Sequence, residues 1–110
     1  MGTIYKLAQI QGTASVSTYA TLYETAAATS AVISTIMICN TTATSATYRI
    51  AIMGSAGTPL AENWLVYDSV VAPNDTLGLS FGLAMGNDKF MRVSSSADTV
   101  TFSASVAEIS

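Results

Sequence analysis

The chain of 110 residues has a formal net charge of −3, with 10% charged residues, no histidine and 50% hydrophobic residues. Ordinary soluble domains carry roughly 25% charge, so the surface of this chain must consist largely of Ser, Thr, Ala and Asn. With only four Lys and Arg residues in all, the chain lacks the basic patch that nucleic-acid binding requires.

The composition also argues for a single domain without disulfides or membrane segments. This length suits one hydrophobic core, and Cys39 is the only cysteine of the chain. Ser, Thr or Asn interrupts each apolar run before it reaches the roughly 20 residues of a membrane helix. The first residues lack the apolar stretch of a signal peptide. We therefore expect synthesis in the cytoplasm, with neither a membrane nor a nucleic acid as partner.

Residues 1–18 form the first predicted segment of the chain. Residues 5–11 read as a short strand, and residues 11–18 are small and polar, with too little apolar mass to hold themselves against a core. Two interpretations remain open: an edge strand joined to the domain by a loop, or a flexible arm that adds a strand to a neighbouring subunit. Tyr5 and Leu7 are the candidate interface residues of this segment.

Residues 19–110 predict a β-sandwich, because short runs with apolar residues at every second position are separated by turn signals about every ten residues. Together with the first segment they give about eight strands. The predicted strands are residues 5–11, 21–24, 31–40, 47–52, 62–71, 77–82, 90–93 and 100–106. We expect an all-β fold, a single antiparallel sandwich with a flexible N-terminal arm.

Two segments of the predicted sandwich need separate comment. Residues 31–40 are apolar on both faces, which is typical of a central strand that is covered on both sides or whose outer face meets a partner. The alanines of residues 25–30 are compatible with a helical turn, but the flanking Thr and Ser residues favour a loop.

The residues that enzymes use for nucleophilic or metal chemistry are almost missing from the sequence. Without histidine, neither a Ser-His-Asp nor a Cys-His arrangement can form, and a zinc site has too few ligands. Cys39 ends an apolar strand, where a buried thiol behaves as a small hydrophobic group. Asp75 and Asp88 lie in turns, where they bond to their own backbone. We expect no catalytic residues, no cofactor and no metal, and therefore not an enzyme.

Residues 64–68 carry the remaining candidates. Asp68 falls inside a strand, where it can pair with Arg49 across a sheet. Trp64 and Tyr67 fall on opposite faces of a regular strand, so they cannot both face one core. We predict that Trp64 packs in the core and that Tyr67 is the third candidate interface residue, since aromatic residues are enriched in interfaces.

Several of these segments resemble a family of small virion proteins of tailed bacteriophages. The similar segments are residues 21–25 (TLYET), 31–36 (AVISTI), 39–40 (CN), 46–51 (ATYRIA), 67–68 (YD), 72–77 (APNDTL), 91–95 (MRVSS) and 108–110 (EIS). The resemblance extends over residues 21–110. The chain departs from the family at residues 24–26, where the family usually has a Val-Pro pair.

The resemblance implies a virion structural component without catalytic or cofactor-binding residues. From it we expect a capsid decoration (cement) protein on the capsid surface, made in the host bacterium. Its partners would be the major capsid protein or other virion proteins, and further copies of itself, which we expect to form a trimer at a threefold position. The alternative is a tail, baseplate or head-fibre module, a role that can include contact with the host receptor. A carbohydrate-binding module is a further alternative, which would need several exposed aromatic residues on one face.

Overall fold

The computed structural model describes residues 2–55 and 57–109, in which eight strands and one short 3-10 helix occur. The strands are β1 Thr3–Gln11, β2 Ala20–Glu24, β3 Ser30–Asn40, β4 Ala46–Met53, β5 Trp64–Val71, β6 Thr76–Met85, β7 Phe90–Ser95 and β8 Val100–Ile109. The 3-10 helix, Ala61–Asn63, leads into β5. Met1 of the predicted arm, Ala56 between two predicted strands and Ser110 of the predicted sandwich lie outside the described residues.

The strands form two antiparallel sheets, sheet A in the order β1-β8-β3-β6 and sheet B in the order β2-β7-β4-β5. The first four strands pair with the last four in reverse order, β1 with β8, β2 with β7, β3 with β6 and β4 with β5. The chain is therefore one long two-stranded ribbon, whose successive segments fall alternately into sheet A and sheet B. The pairs β3–β8 and β4–β7 complete the sheets. This arrangement is a jelly roll.

The predicted all-β sandwich is thus confirmed, and strand alternation explains its core. Ile33, Ile36 and Ile38 of β3 point between the sheets, where they meet Ile50 of sheet B and Phe102 of β8, and all five side chains are fully buried. The step of three from Ile33 to Ile36 coincides with a register shift in both pairings of β3. This irregularity keeps apolar side chains on the inner face along the whole strand.

The outer face of β3 decides between the two interpretations of the apolar run at residues 31–40. β3 is a central strand of sheet A, and its inner face is buried. Val32 and Met37 on its outer face are exposed. The strand is therefore covered on one side, and its outer face is available for contacts.

Hydrogen bonds between loops close both ends of the sandwich. At one end, the buried Asn40 donates from Nδ2 to the carbonyl of Thr44 (2.8 Å), and its own N–H donates to the carbonyl of Asp75 (2.9 Å). At the other end, Thr25 Oγ1 donates to the carbonyl of Gly86 (2.6 Å) and accepts from the N–H of Lys89 (2.9 Å). These bonds hold residues 25–29 as a loop, as predicted.

β1 is the terminal strand of sheet A and pairs with β8 without interruption, from Thr3 opposite Ile109 to Gln11 opposite Thr101. Only Ala8 and Ile10 of this strand pack partly against the core. In the single chain the N-terminal segment thus lies as an edge strand. Its addition to a neighbouring subunit stays a prediction.

Candidate interaction surfaces

The first candidate surface lies on β1. We call Ile4, Tyr5 and Leu7 the edge patch; their side chains are 55%, 82% and 62% exposed. Tyr5 pairs with Ala107 of β8 and Leu7 with Ser105, so that both project from the outer face of sheet A. The two interface residues predicted on the N-terminal segment therefore lie side by side on an exposed strand. Whether they contact a partner remains a prediction.

The edge patch borders a shallow hollow of about 480 Å³ on the outer face of sheet A. Small residues, Ser34, Ser105 and Ala107, line it where neighbouring side chains are larger. Leu7 and Val32 are among its larger lining residues. The hollow is a consequence of the Ser- and Ala-rich composition, since small side chains on a pleated sheet leave space between larger neighbours. Its lining is mainly apolar, and Lys6 is the one charged residue among the described residues that border it.

At the inner side of the same strand, Lys6 Nζ lies 3.1 Å from Glu108 Oε1. The hydroxyl of Tyr23 donates a hydrogen bond to the other carboxylate oxygen of Glu108. The hydrogen bonds from Tyr23 and Lys6 hold the pKa of Glu108 below its ordinary value of 4.5. Burial and the neighbouring carboxylate raise the pKa of Tyr23. These contacts connect β1, β2 and β8.

The second candidate surface lies on the outer side of sheet B, around Arg49. Its Nε and Nη2 atoms donate to the two carboxylate oxygens of Asp68, at 2.7 and 3.1 Å. Nη1 donates to the hydroxyl of Tyr19 at 3.1 Å and to the carbonyl of Val16 at 3.3 Å. The predicted pair of Arg49 and Asp68 is confirmed. Hydrogen bonding by Arg49 holds the pKa of Asp68 below its ordinary value of 3.8.

Aromatic rings surround this arginine. Its guanidinium carbon lies 4.1 Å from the ring centroid of Tyr67 and 5.5 Å from that of Trp64, which is within the range of cation–π attraction. The centroid of Trp64 is 4.9 Å from that of Tyr67 and 5.9 Å from that of Tyr19. We call Tyr19, Arg49, Trp64, Tyr67 and Asp68 the aromatic cluster; Tyr67 is its most exposed ring, at 56%.

The expectation that Trp64 packs in the core is wrong. The register of β5 against β4 shifts on both sides of the pair Ile50 and Val66, and Asp68 has a φ of 53° within the strand. These irregularities bring Trp64 and Tyr67 to the same side of sheet B, although regular alternation separates them. The rings of Tyr19, Trp64 and Tyr67 therefore meet in one cluster. The alternation of apolar and polar residues carries no sign of a bulge, so it could not predict this arrangement.

The two surfaces lie at opposite sides of the sandwich, so the structure does not bring Tyr67 together with Tyr5 and Leu7. β1 contacts β2 across the sandwich, whereas β5 contacts β3. β1 and β2 begin the strand order of their sheets, and β5 and β6 end it. The edge patch and the aromatic cluster are therefore two separate surfaces.

The possible metal ligands and the cysteine were also located in the described part of the chain. Within residues 2–55 and 57–109, no three His, Cys, Asp or Glu side chains are grouped so that they could hold a metal ion. Cys39 is half-buried on the outer face of β3, opposite Thr76 and Thr101, and not in the core as expected. No helix in this part of the chain is long and apolar enough to span a membrane.

Comparison with known proteins finds solved structures with a similar fold. No family model matches the chain, and no curated protein matches it. A chain of the T13 viral particle of IBDV is similar over 96% of this chain, with a TM-score of 0.55 and 14% identity. A chain of infectious bursal disease virus, strain Gx, is similar over 96%, with a TM-score of 0.57 and 13% identity.

The present chain spans only 30% and 32% of the length of those two chains. At such low identity the likeness shows the fold alone. The chain therefore has a β fold that also occurs in chains of icosahedral virus particles.

Proposed function

We propose that this chain is a structural subunit of a virus particle, without catalytic activity, and specifically a capsid decoration protein of a tailed bacteriophage. The observation that carries the proposal is the fold: over 96% of its length this jelly-roll chain is similar in structure to chains of virus particles. The resemblance of residues 21–110 to small virion proteins of tailed bacteriophages supports the choice of particle. One fold can serve many functions, so the proposal also depends on the chemistry of the two surfaces.

Both candidate surfaces have the chemistry of protein contacts. The edge patch exposes three large apolar side chains with one charged neighbour, Lys6, which Glu108 neutralises. The aromatic cluster pairs its arginine with a carboxylate, so it presents rings and not a net charge. Exposed apolar patches of this kind mark interaction sites. Because they lie on opposite sides of a body measuring 45 × 26 × 18 Å, one copy can bridge two neighbouring shell subunits.

Decoration requires only modest affinity from each contact. A chain that bridges two subunits binds the second one at a high effective concentration, and many copies act together on one particle. The proposed mechanism is therefore mechanical: each copy ties neighbouring shell subunits together and resists their separation. Major capsid protein and further copies of this chain are the partners that this mechanism needs.

Quantitative mass spectrometry of purified particles tests the proposal. We expect the chain in a copy number comparable to that of the capsomers, and electron microscopy of particles with a labelled chain should show density over the head. Particles that lack the chain should release their genome at a lower temperature than complete particles. A copy number of only a few, with label at the tail or at a fibre, would replace decoration by the tail, baseplate or head-fibre role.

One observation favours a second candidate, contact with a glycan on the host. Rings that gather beside a charged pair can stack on sugars, and Tyr19, Trp64 and Tyr67 form such a group. Binding of the purified chain to a glycan array, lost in Tyr67→Ala and retained in Tyr5→Ala, would support a receptor-binding module. Equal signals for both variants would remove this candidate.

A further inference from the structure

The outward edge of β1 presents an ordered row of backbone hydrogen-bonding groups. The N–H of Gly12 donates to the carbonyl of Val100, directly after the unbroken pairing of β1 with β8. Hydrogen-bonded and non-bonded pairs alternate along an antiparallel ladder, so the even-numbered residues of β1 bond to β8. The N–H and carbonyl groups that point away from the sheet then belong to the odd-numbered residues. These residues are Thr3, Tyr5, Leu7, Gln9 and Gln11.

The other three edge strands are protected against further pairing, and β1 is not. The register of β2 shifts between Thr21 and Tyr23, and that of β6 is irregular opposite Ile33 and Thr35. β5 carries two register shifts and a left-handed Asp68. Bulges of this kind are a common device for blunting sheet edges. β1 has an unbroken register, no proline, one charged side chain and the exposed edge patch, which are the features of a strand that accepts another strand.

We propose that β1 pairs antiparallel with β1 of a second copy, about a two-fold axis that passes through Leu7. In an antiparallel ladder the side chains of opposite residues lie on one face. Odd residues must therefore oppose odd residues, and the axis must pass through a residue. An axis at Lys6 would oppose two lysines, which is unfavourable. An axis at Leu7, the middle residue of β1, gives every residue from Thr3 to Gln11 a partner on the second copy.

The pairing centred on Leu7 gives matched neighbours along the strand. Leu7 lies opposite Leu7 of the second copy, Ile4 opposite Ile10, and Tyr5 opposite Gln9 and diagonal to Leu7. Lys6 lies opposite Ala8, so it keeps its contact with Glu108 of its own chain. About ten backbone hydrogen bonds form at full overlap. The two A sheets become one continuous sheet, and their hollows lie on the same face.

The pairing makes a second copy of the chain the partner of the edge patch. It rests on the proposed virion role only for the place where the pair would act. Two paired strands bury less area than the roughly 1,200 Å² of a stable complex, so the dimer should dissociate on dilution. A monomeric chain present in many copies on particles would overturn the pairing alone. A dimeric chain absent from particles would overturn the proposed function alone.

Cysteine cross-linking of the full chain tests the register. In a Cys39→Ser background, Leu7→Cys should form a disulfide-linked dimer under mild oxidation, because opposite residues of a bonded pair have Cα atoms about 5.5 Å apart, within disulfide range. Tyr5→Cys is the matched control. Its two copies are offset by four residues, roughly 13 Å, and should remain unlinked. The double variant Tyr5→Cys/Gln9→Cys should link again. Equal cross-linking of both single variants would overturn the register.

Sedimentation at several concentrations tests the pairing without cysteines. We expect a monomer–dimer equilibrium for the unmodified chain. Gln9→Pro removes an outward N–H and leaves the backbone bonds to β8 in place, losing only the exposed side-chain bond from Gln9 Nε2 to Ser103 Oγ. It should therefore weaken the dimer at least tenfold while the thermal midpoint changes little. Leu7→Lys should have the same effect through charge repulsion at the axis. A trimer, a monomer at every concentration, or a Gln9→Pro variant that dimerises normally would overturn the proposal.

Discussion

Two adjacent serines of β7 differ in the hydrogen bonds that their buried hydroxyls make. Ser94 and Ser95 are both fully buried. Ser95 Oγ accepts from the N–H of Thr13 at 2.9 Å and donates to the carbonyl of Thr13 at 2.9 Å. Among the described residues, the hydroxyl of Ser94 has no hydrogen-bond partner. Buried polar groups without partners cost stability, whereas satisfied ones contribute to it.

We predict opposite outcomes for alanine at these two positions. Ser95→Ala should lower the free energy of unfolding by about 1–3 kcal/mol, because it leaves the backbone groups of Thr13 without a partner. Ser94→Ala should be neutral or stabilising. Denaturant unfolding of both variants under the same conditions provides the measurement. Equal destabilisation by the two substitutions would show that Ser94 makes a contact that the described residues do not account for.

The carboxylate of Glu108 should make the stability of the fold sensitive to acid. Its pKa is lowered in the folded chain, first by the hydrogen bond from Tyr23 and then by Lys6. A lowered pKa means that the folded state favours the ionised form. This stabilisation is present above the ordinary value of 4.5 and is lost as the pH falls through the lower folded value.

Tyr23→Phe should therefore flatten the decline of the thermal midpoint as the pH is lowered below about 4.5. Tyr5→Phe is the control, since Tyr5 is exposed and should leave the decline unchanged. Asp68 also has a lowered pKa, so part of the acid sensitivity should persist in Tyr23→Phe. A decline as steep as in the unmodified chain would contradict the role of the Tyr23 hydrogen bond.

At the scale of elements, the periodicity of apolar residues predicts where the strands lie but not which strands pair. Alternating apolar residues predict β4, β7 and β8 closely, because a strand buried on one face must alternate. The jelly-roll order follows from pairings between distant segments, such as β1 with β8, and these leave no local pattern. Bulges explain the remaining error: the irregular β5 placed Trp64 in the aromatic cluster and not in the core. Tyr5, Leu7 and Tyr67 are exposed, as interface residues must be, and their contact with a partner stays a prediction.

The turn from β1 into the following loop depends on a glycine for steric reasons. A Cβ atom at Gly12 would lie 2.2 Å from Ser95 Oγ and 2.6 Å from the carbonyl oxygen of Val100. The serine could rotate, but the backbone oxygen of β8 cannot yield without moving the strand. Gly82 of β6 is the matched control, because an added Cβ there meets nothing within 4 Å.

Gly12→Ala should accordingly destabilise the fold by about 1–3 kcal/mol, as overpacking of a close contact does. It should also weaken amide protection of residues 9–12 in hydrogen exchange, since the N–H of Gly12 bonds to Val100. Gly82→Ala should have little effect on either measurement. Similar losses in both variants would mean that conformational freedom, and not the close approach, matters at residue 12.

At the scale of the whole molecule, the low charge, the edge patch and the aromatic cluster determine how copies of the chain can associate. β1 and β8, the first and last strands, are neighbours, so the fold closes only when the two ends of the chain meet. The edge patch and the aromatic cluster then face opposite directions. A pair of copies joined through β1 would present an aromatic cluster at each far side. Such a pair could span two shell subunits through its two aromatic clusters.

Attachment through such surfaces should depend little on salt. Raising the salt concentration from about 0.15 M to 1 M shortens the screening length from about 8 Å to 3 Å, which weakens attractions between charges but not apolar burial. We expect particles stripped of the chain to bind it equally in both buffers. Tyr67→Asp should reduce this binding at least tenfold while the thermal midpoint is retained. Asp88→Asn, a change at an exposed turn residue with a φ of 56°, should bind normally. Release of the chain in 1 M salt would show that charged groups hold it, which contradicts an apolar attachment.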